Sequence, residues 1–67
     1  MSNIRPYFDN LEEKLLDSLS EATKSLDYLN KVFPSNTNVE QSKQHTKRLI
    51  ETLAKSISHL GKLRAQV

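Results

Sequence analysis

The chain has 67 residues, of which 36% are hydrophobic and 27% are charged, with a net charge of +2. This length allows one small domain, and the absence of cysteine excludes disulfide bridges and thiolate metal sites. No run of about 18 apolar residues could span a membrane, and residues 1–6 lack the apolar core of a secretory signal, so we expect a cytoplasmic, intracellular protein.

The first predicted element is a long amphipathic helix over about residues 6–33. Its apolar residues recur at a mean spacing of about 3.6 positions, the period of an α-helix. They are Ile4, Phe8, Leu11, Leu15, Leu19, Ala22, Leu26, Leu29 and Phe33. Pro6 suits the first helical turn, and Pro34 ends the helix because its ring disfavours helical geometry at the residue before it.

A turn over residues 34–37 follows, and a second helix is predicted over about residues 38–66. Serine, asparagine and threonine fill this turn, and all three favour turns and helix starts. The apolar series of the second helix is Leu49, Leu53, Ser56, Leu60, Leu63 and Val67. Gly61 interrupts this helix at a cost of about 1 kcal/mol relative to alanine. It either permits close approach of the helices or is tolerated near the end of the helix.

Together the elements predict an all-α fold, an antiparallel two-helix hairpin with coiled-coil-like packing, as one unit over residues 1–67. Folding at the turn places residue i near residue 72 − i. The expected intramolecular seam consists of Phe8, Leu11, Leu15, Leu19, Ile50, Leu53, Ile57 and Leu60. Half of each helix would still face water, so we expect a second copy of the chain or another helical protein to complete a bundle.

The two halves of the chain carry opposite net charge. Residues 1–34 have four basic and six acidic side chains, a net charge of −2, and residues 35–67 have six basic and two acidic ones, a net charge of +4. Opposite charge favours two helices lying side by side. The register places Asp17 near Lys55, and we expect an ion pair there that selects register and partner more than it adds stability.

Near the turn the apolar residues of the first helix have no counterpart. Residues 40–48 contain no apolar side chain, so the first helix is left uncovered in this region. An apolar patch that its own chain leaves uncovered marks a site for a partner. The predicted partner-binding surface consists of Leu26, Tyr28, Leu29, Val32 and Phe33.

Three other kinds of function have weaker support in the sequence. His45 and His59 would lie roughly 21 Å apart on one helix, so we expect no shared metal ion, and no cofactor either. No Gly-x-Ser-x-Gly elbow or glycine-rich phosphate loop is present, and we expect no enzymatic activity. The alternative function is a small basic dimeric nucleic-acid-binding protein, with candidate phosphate contacts at Lys43, Lys47, Arg48 and Lys55. The absence of interleaved aromatic residues disfavours it.

The layout resembles the small helical-hairpin co-chaperones of type III secretion, which help to hold the needle subunit in the cytoplasm before export. The resemblance rests on the length, the run Leu11-Glu12-Glu13-Lys14-Leu15, one break near the middle, and a second helix with a polar start and an apolar end. It implies a non-enzymatic subunit that pairs with a second chaperone and self-associates when alone. The sequence thus predicts a protein–protein interaction module that packs on partner helices.

Overall fold

Two helices lie side by side, joined by a short turn. The computed structural model describes residues 4–35 and 37–66. Helix α1 runs over Arg5–Val32 and helix α2 over Thr37–Gln66, and their Cα atoms form a rod of 54 × 14 × 12 Å. The predicted all-α hairpin is confirmed, and each helix begins one residue before its predicted start. Asn36 of the predicted turn and Val67 of the second apolar series lie outside the described residues.

Helix α1 ends where proline prevents it from continuing. The amide of Phe33 still donates to the carbonyl of Leu29 at 2.9 Å, but its φ and ψ angles are −128° and 67°. These angles lie outside the helical region because the ring of Pro34 crowds the backbone of the residue before it. The helix is therefore one residue shorter than predicted at this end, and Phe33 is its C-cap.

A lysine from α2 closes the turn. Lys43 is 5% exposed, and its Nζ donates a 2.6 Å hydrogen bond to the carbonyl oxygen of Phe33 and lies 3.6 Å from Oε1 of Glu40. The last carbonyls of a helix lack partners within the helix and carry the negative end of its dipole. The ammonium group thus satisfies the end of α1, and the buried charge has the partners that burial demands.

This position of Lys43 corrects an expectation from the sequence. The spacing of basic residues assigns Lys43 to a solvent-facing surface, as a candidate phosphate contact. In the structure its ammonium group is turned into the molecule and bound to the chain itself. The hydrogen bond from the ammonium group to the end of α1 outweighs the loss of hydration by water, because charge-assisted hydrogen bonds are stronger than neutral ones.

The apolar seam between the helices is only partly covered. Leu60 and Ala22 are the only buried apolar residues in residues 4–35 and 37–66. The other predicted seam residues are half-buried, namely Phe8, Leu11, Leu15, Leu19, Ile50, Leu53 and Ile57. Each helix covers only the flank of its neighbour that faces it, so burial of apolar surface stays incomplete along the whole seam.

Ion pairs join the helices at the open end of the hairpin. Nη2 of Arg64 lies 2.6 Å from Oε2 of Glu12 and 3.4 Å from Oδ1 of Asp9. Neither Nη2 nor Nε of Arg64 makes a hydrogen bond of ordinary geometry, although both are shielded from solvent. The contact between Arg64 and the two carboxylates is therefore electrostatic. In the Arg64 contacts and in the contact of Lys43 with Phe33, the two residue numbers add up to 73 to 76. The predicted register gives a total of 72, so the observed pairs differ from it by about one helical turn at most.

The interhelical charge pair expected from the sequence does not form. Among the ion pairs of the described residues, none joins Asp17 to Lys55. Both side chains instead line the edges of grooves on the surface of the hairpin. Arg64, outside the predicted pairing, carries the attraction between the acidic and the basic helix.

We predict that Lys43→Met, which keeps the aliphatic stem and removes the ammonium group, lowers the free energy of unfolding by about 1–3 kcal/mol. The carbonyl of Phe33 then loses its charged donor. Urea denaturation followed by circular dichroism measures the change. Lys47→Met is the matched control, since Lys47 is exposed, and we expect a change within about 0.5 kcal/mol. Equal effects of the two substitutions would contradict the role of Lys43.

Gly61 is tolerated rather than required within the hairpin. A Cβ atom built on Gly61 would meet nothing within 4 Å, so close approach of the helices does not explain this glycine. Gly61→Ala should raise the free energy of unfolding by about 0.5–1 kcal/mol, because alanine loses less backbone entropy in a helix. Thermal denaturation at a fixed, low protein concentration tests this, and a lowered melting temperature would show that the site is crowded after all.

Candidate protein-interaction surface

Two shallow grooves follow the line between the helices. The first, of about 530 Å³, lies toward the open end, and the residues that line it include Leu11, Leu15, Ser56, His59, Leu60 and Leu63. The second, of about 410 Å³, lies nearer the middle, and it is lined by Asp17, Ser18, Glu21, Ala22, Ser25 and Leu49. Apolar and small side chains form most of both floors, which is typical of surfaces that receive side chains from another helix.

Both grooves open on the same side of the hairpin. Residues seven apart on a helix point in nearly the same direction. One such row on α1 contains Leu11, Ser18, Ser25 and Val32, and one on α2 contains Leu49, Ser56 and Leu63. Each row contributes residues to both grooves. The grooves are therefore parts of one surface, which we call the open face.

Large apolar side chains are exposed along the whole open face. Tyr7 and Tyr28 are 65% and 63% exposed, and both belong to the seven-residue row that also contains Glu21 of the second groove. Val32, Leu49 and Leu63 are exposed as well. A row of such residues on one side of a small protein, and not scattered singly, indicates a surface that another molecule covers.

On the face opposite the open face, charged side chains connect the two helices at one end of the hairpin. Asp9 and Glu12 lie on the flank of α1 that points away from the open face, and Arg64 reaches across to both. Leu16 is the one large apolar residue of the helix interiors that is exposed on this flank. The hairpin is thus two-sided, with charge pairs on one face and apolar grooves on the other.

The residues predicted to bind a partner lie at the turn end of this arrangement. Tyr28, Val32 and Phe33 are exposed, while Leu26 and Leu29 are half-buried against α2. Tyr28, Leu29 and Val32 point toward the open face by their helical positions. Leu26 lies nearer the seam, and Phe33 belongs to the helix end that Lys43 binds.

The predicted partner-binding surface does not include the part of the open face away from the turn. The apolar spacing predicts one stripe for Leu49, Leu53, Leu60 and Leu63, yet Leu49 and Leu63 are far more exposed than Leu60. The signal was present in the spacing, because the row of residues seven apart from Leu49 runs along the edge of the stripe. The apolar surface therefore extends along the rod and is not confined to the turn.

The four candidate phosphate contacts do not form one basic patch. Lys43 is buried in the turn, and the remaining three are exposed. Arg48 and Lys55 are seven residues apart and share the outer edge of the open face, whereas Lys47 points to a different flank of α2. Exposed Lys62 continues the row of Arg48 and Lys55, so three cations, two of them among the four candidates, follow one line where phosphate-binding surfaces need several.

Charged side chains of both signs lie along the open face, because on α1 Lys24 shares the seven-residue row of Asp17 and Lys14 shares that of Glu21. Asp17 and Glu21 line the second groove from the α1 side, and Lys55 lines the first groove from the α2 side, with His59 beside it. No ion pair within the described residues involves Asp17, Glu21 or Lys55. Their charges are therefore available to a molecule that lies on the open face.

Neither described helix is long and apolar enough to cross a membrane. Within residues 4–35 and 37–66, no three His, Asp or Glu side chains come together as metal ligands. Ser56 and His59 share the first groove, but no hydrogen bond joins them in the described part of the chain, and a nucleophile needs contact with its base. Comparison with known proteins finds no matching family model, curated protein or solved structure.

We predict that two leucines of α2 differ sharply in their effect on stability. Leu60 is 4% exposed and Leu49 is 50% exposed. Leu60→Ala should lower the free energy of unfolding by about 2 kcal/mol or more, and Leu49→Ala by less than about 1 kcal/mol. Urea denaturation, at dilutions where light scattering shows a single chain, measures both. Equal losses would mean that Leu49 is part of the core of the single hairpin.

Proposed function

We propose that this chain is a non-enzymatic protein–protein interaction module whose open face packs against helices of a partner. One observation carries the proposal. The chain exposes 5360 Å² of surface, whereas a compact monomer of its mass exposes about 4,300 Å². The excess of about 1,000 Å² is spread over the whole 54 Å rod, and on the open face the exposed surface includes the apolar side chains of Tyr28, Leu49 and Leu63.

The alternative, a basic nucleic-acid-binding protein, has less support. Lys43 is bound to the end of α1, and the exposed cations point to two flanks of α2. Tyr7 and Tyr28 are exposed aromatic residues of the open face, but 21 positions, or about 31 Å along α1, separate them, so they do not form a continuous stacking platform for single-stranded bases. An interaction with helices uses the exposed leucines and tyrosines that the nucleic-acid proposal leaves unexplained.

More specifically, we propose that the chain is a cytoplasmic co-chaperone of the type III secretion needle subunit. The resemblance in length, in the Leu11–Leu15 run and in the polar start of the second helix supports it. Co-chaperones of this kind are themselves small helical hairpins, which is the fold of this chain. The identity of the bound molecule decides between this form and the general one.

Site-specific photo-cross-linking in cells of the source organism tests the module. We expect covalent adducts when the photoreactive residue benzoylphenylalanine replaces Tyr28 or Leu49 on the open face. Asn30 and Lys47 are matched controls, because each is exposed and lies two positions, or about 200° around the helix, from its test site. We expect few or no adducts at the control positions.

Mass spectrometry of the adducts separates the outcomes. A needle subunit or its second chaperone in the adduct supports the co-chaperone form, and any other protein, or a second copy of this chain, supports the general form alone. Equal adduct yields on both faces, or none on either, would overturn the proposal that the open face is an interaction surface.

A further inference from the structure

We propose that the open face binds an amphipathic helix of a different protein, one whose apolar stripe is flanked by aspartate or glutamate. This inference rests on the proposed function and names the chemistry of the molecule that the open face receives. It follows from the spacing of the two grooves and from the charge along the α2 side of the open face. We call that row of cations the basic edge, and it consists of Arg48, Lys55 and Lys62.

The two grooves are spaced like side chains on one face of a helix. Leu49 lines the second groove and Ser56 the first, and these residues lie seven positions, or about 10.5 Å, apart along α2. Residues i and i + 7 of a third helix that lies along the grooves project at the same interval. Large apolar side chains at these positions enter both grooves, whereas a lipid bilayer has no regular spacing to match.

The basic edge carries positive charge without an intervening carboxylate. Its three side chains are exposed, recur every seven residues and extend over about 21 Å of α2. The neighbouring row toward the grooves contains no acidic residue and consists of His45, Thr52, His59 and Gln66. Lys55 itself lines the first groove. Carboxylates that lie along this side of the open face therefore meet cations at every second helical turn.

One carboxylate of α2 lies near the basic edge. Glu51 is one helical turn from Arg48 and from Lys55, on the side of them that points away from the grooves. Among the ion pairs of residues 4–35 and 37–66, none joins Glu51 to either cation. Glu51 thus leaves a surplus of positive charge toward the open face.

The α1 side of the open face carries both signs in balance. Two lysines flank two carboxylates there, each within about one helical turn of the next, namely Lys14, Asp17, Glu21 and Lys24. Lys31 continues the row of Lys24 but pairs with Asp27 at 3.1 Å. Charge on the α1 side nearly cancels, so the basic edge determines the sign of charge that a partner needs.

Charge therefore selects among helices that fit the grooves equally well. Apolar contact accepts any amphipathic helix, because it is non-directional. Carboxylates on the flank that lies over α2 are attracted to the basic edge, and lysine or arginine on that flank is repelled. Such complementary and repulsive pairs give specificity more than raw affinity.

Titration with two labelled peptides tests this partner chemistry. Both peptides are amphipathic helices of about four heptads with the same leucine stripe, and the stripe is flanked by glutamate in one and by lysine in the other. Fluorescence anisotropy with the purified full chain at about 100 mM salt should give a Kd at least about tenfold lower for the acidic peptide. The difference should shrink as the salt concentration rises, because salt screens exposed charges.

Charge reversal on the basic edge separates its role from a general attraction between the chain and acidic peptides. Lys55→Glu should raise the Kd for the acidic peptide about fivefold, and Lys55→Glu with Lys62→Glu about tenfold or more. Lys47→Glu is the matched control, because Lys47 is exposed but points to a different flank of α2. We expect it to change the Kd by less than about twofold. Circular dichroism on every variant shows that the helices are intact.

Three results would overturn the inference: no binding of either peptide at about 100 μM chain, equal affinity for both, or a preference that Lys55→Glu leaves unchanged. The first result includes a chain whose second copy covers the open face, which light scattering detects. Anionic vesicles of phosphatidylserine and phosphatidylcholine, and random duplex DNA, are tested in parallel. If either binds more tightly than the acidic peptide and loses affinity in Lys55→Glu, the basic edge belongs to a membrane or nucleic-acid surface and the inference is wrong.

Failure of the proposed function is a separate result. If Tyr28 and Leu49 cross-link to another protein while the chain does not distinguish the two peptides, the interaction module stands and the acidic partner is wrong. If the open face cross-links to nothing in cells, both fail, whichever peptide binds.

Discussion

Two helices that lie side by side can cover only the stripe of each that faces the other, and the energetics of this hairpin follow from that limit. No large side chain in the described residues is fully enclosed, and only Leu60 and Ala22 are buried apolar residues. Burial of apolar surface is the main favourable term in folding, so a fold that cannot complete its burial is marginal alone. The open face is the place where the missing burial can be supplied.

Lys43 shows how the turn is stabilised without glycine. Pro34 stops α1 and leaves its last carbonyls without partners, a state that costs free energy wherever water is excluded. The ammonium group from the second turn of α2 satisfies Phe33 and approaches Glu40 at the same time. One side chain thus satisfies the helix end, holds α2 against α1 and removes a cation from the exposed basic surface.

Much of the fold could be predicted from the sequence because the apolar period and the two prolines are local signals. The helix bounds agree with the spacing within one residue, and the seam residues are buried or half-buried as expected. The partners of individual charged side chains could not be predicted from these local signals. Lys43 and Arg64 form interhelical contacts, while Asp17 and Lys55 do not, because long side chains respond to helix ends and to the flank from which they start.

The extent of the open face could not be predicted from the apolar pattern alone. Apolar residues that recur every 3.6 positions form a stripe along the helix, with a centre and two edges. Leu49 and Leu63 lie at one edge of the stripe on α2. In a hairpin the edge of one helix is either closed by the other helix or left open, and only the relative rotation of the two decides which. In the structure this rotation leaves Leu49 exposed and Leu60 buried.

Apolar burial and charge have different tasks in this molecule. Apolar contact is non-directional and would accept many helices on the open face, so it cannot by itself select a partner or an orientation. The difference in charge between the two arms is directional. It acts within the chain, where Arg64 of α2 contacts Asp9 and Glu12 of α1, whereas on the open face Asp17 and Lys24 share one row of α1 and both signs are present.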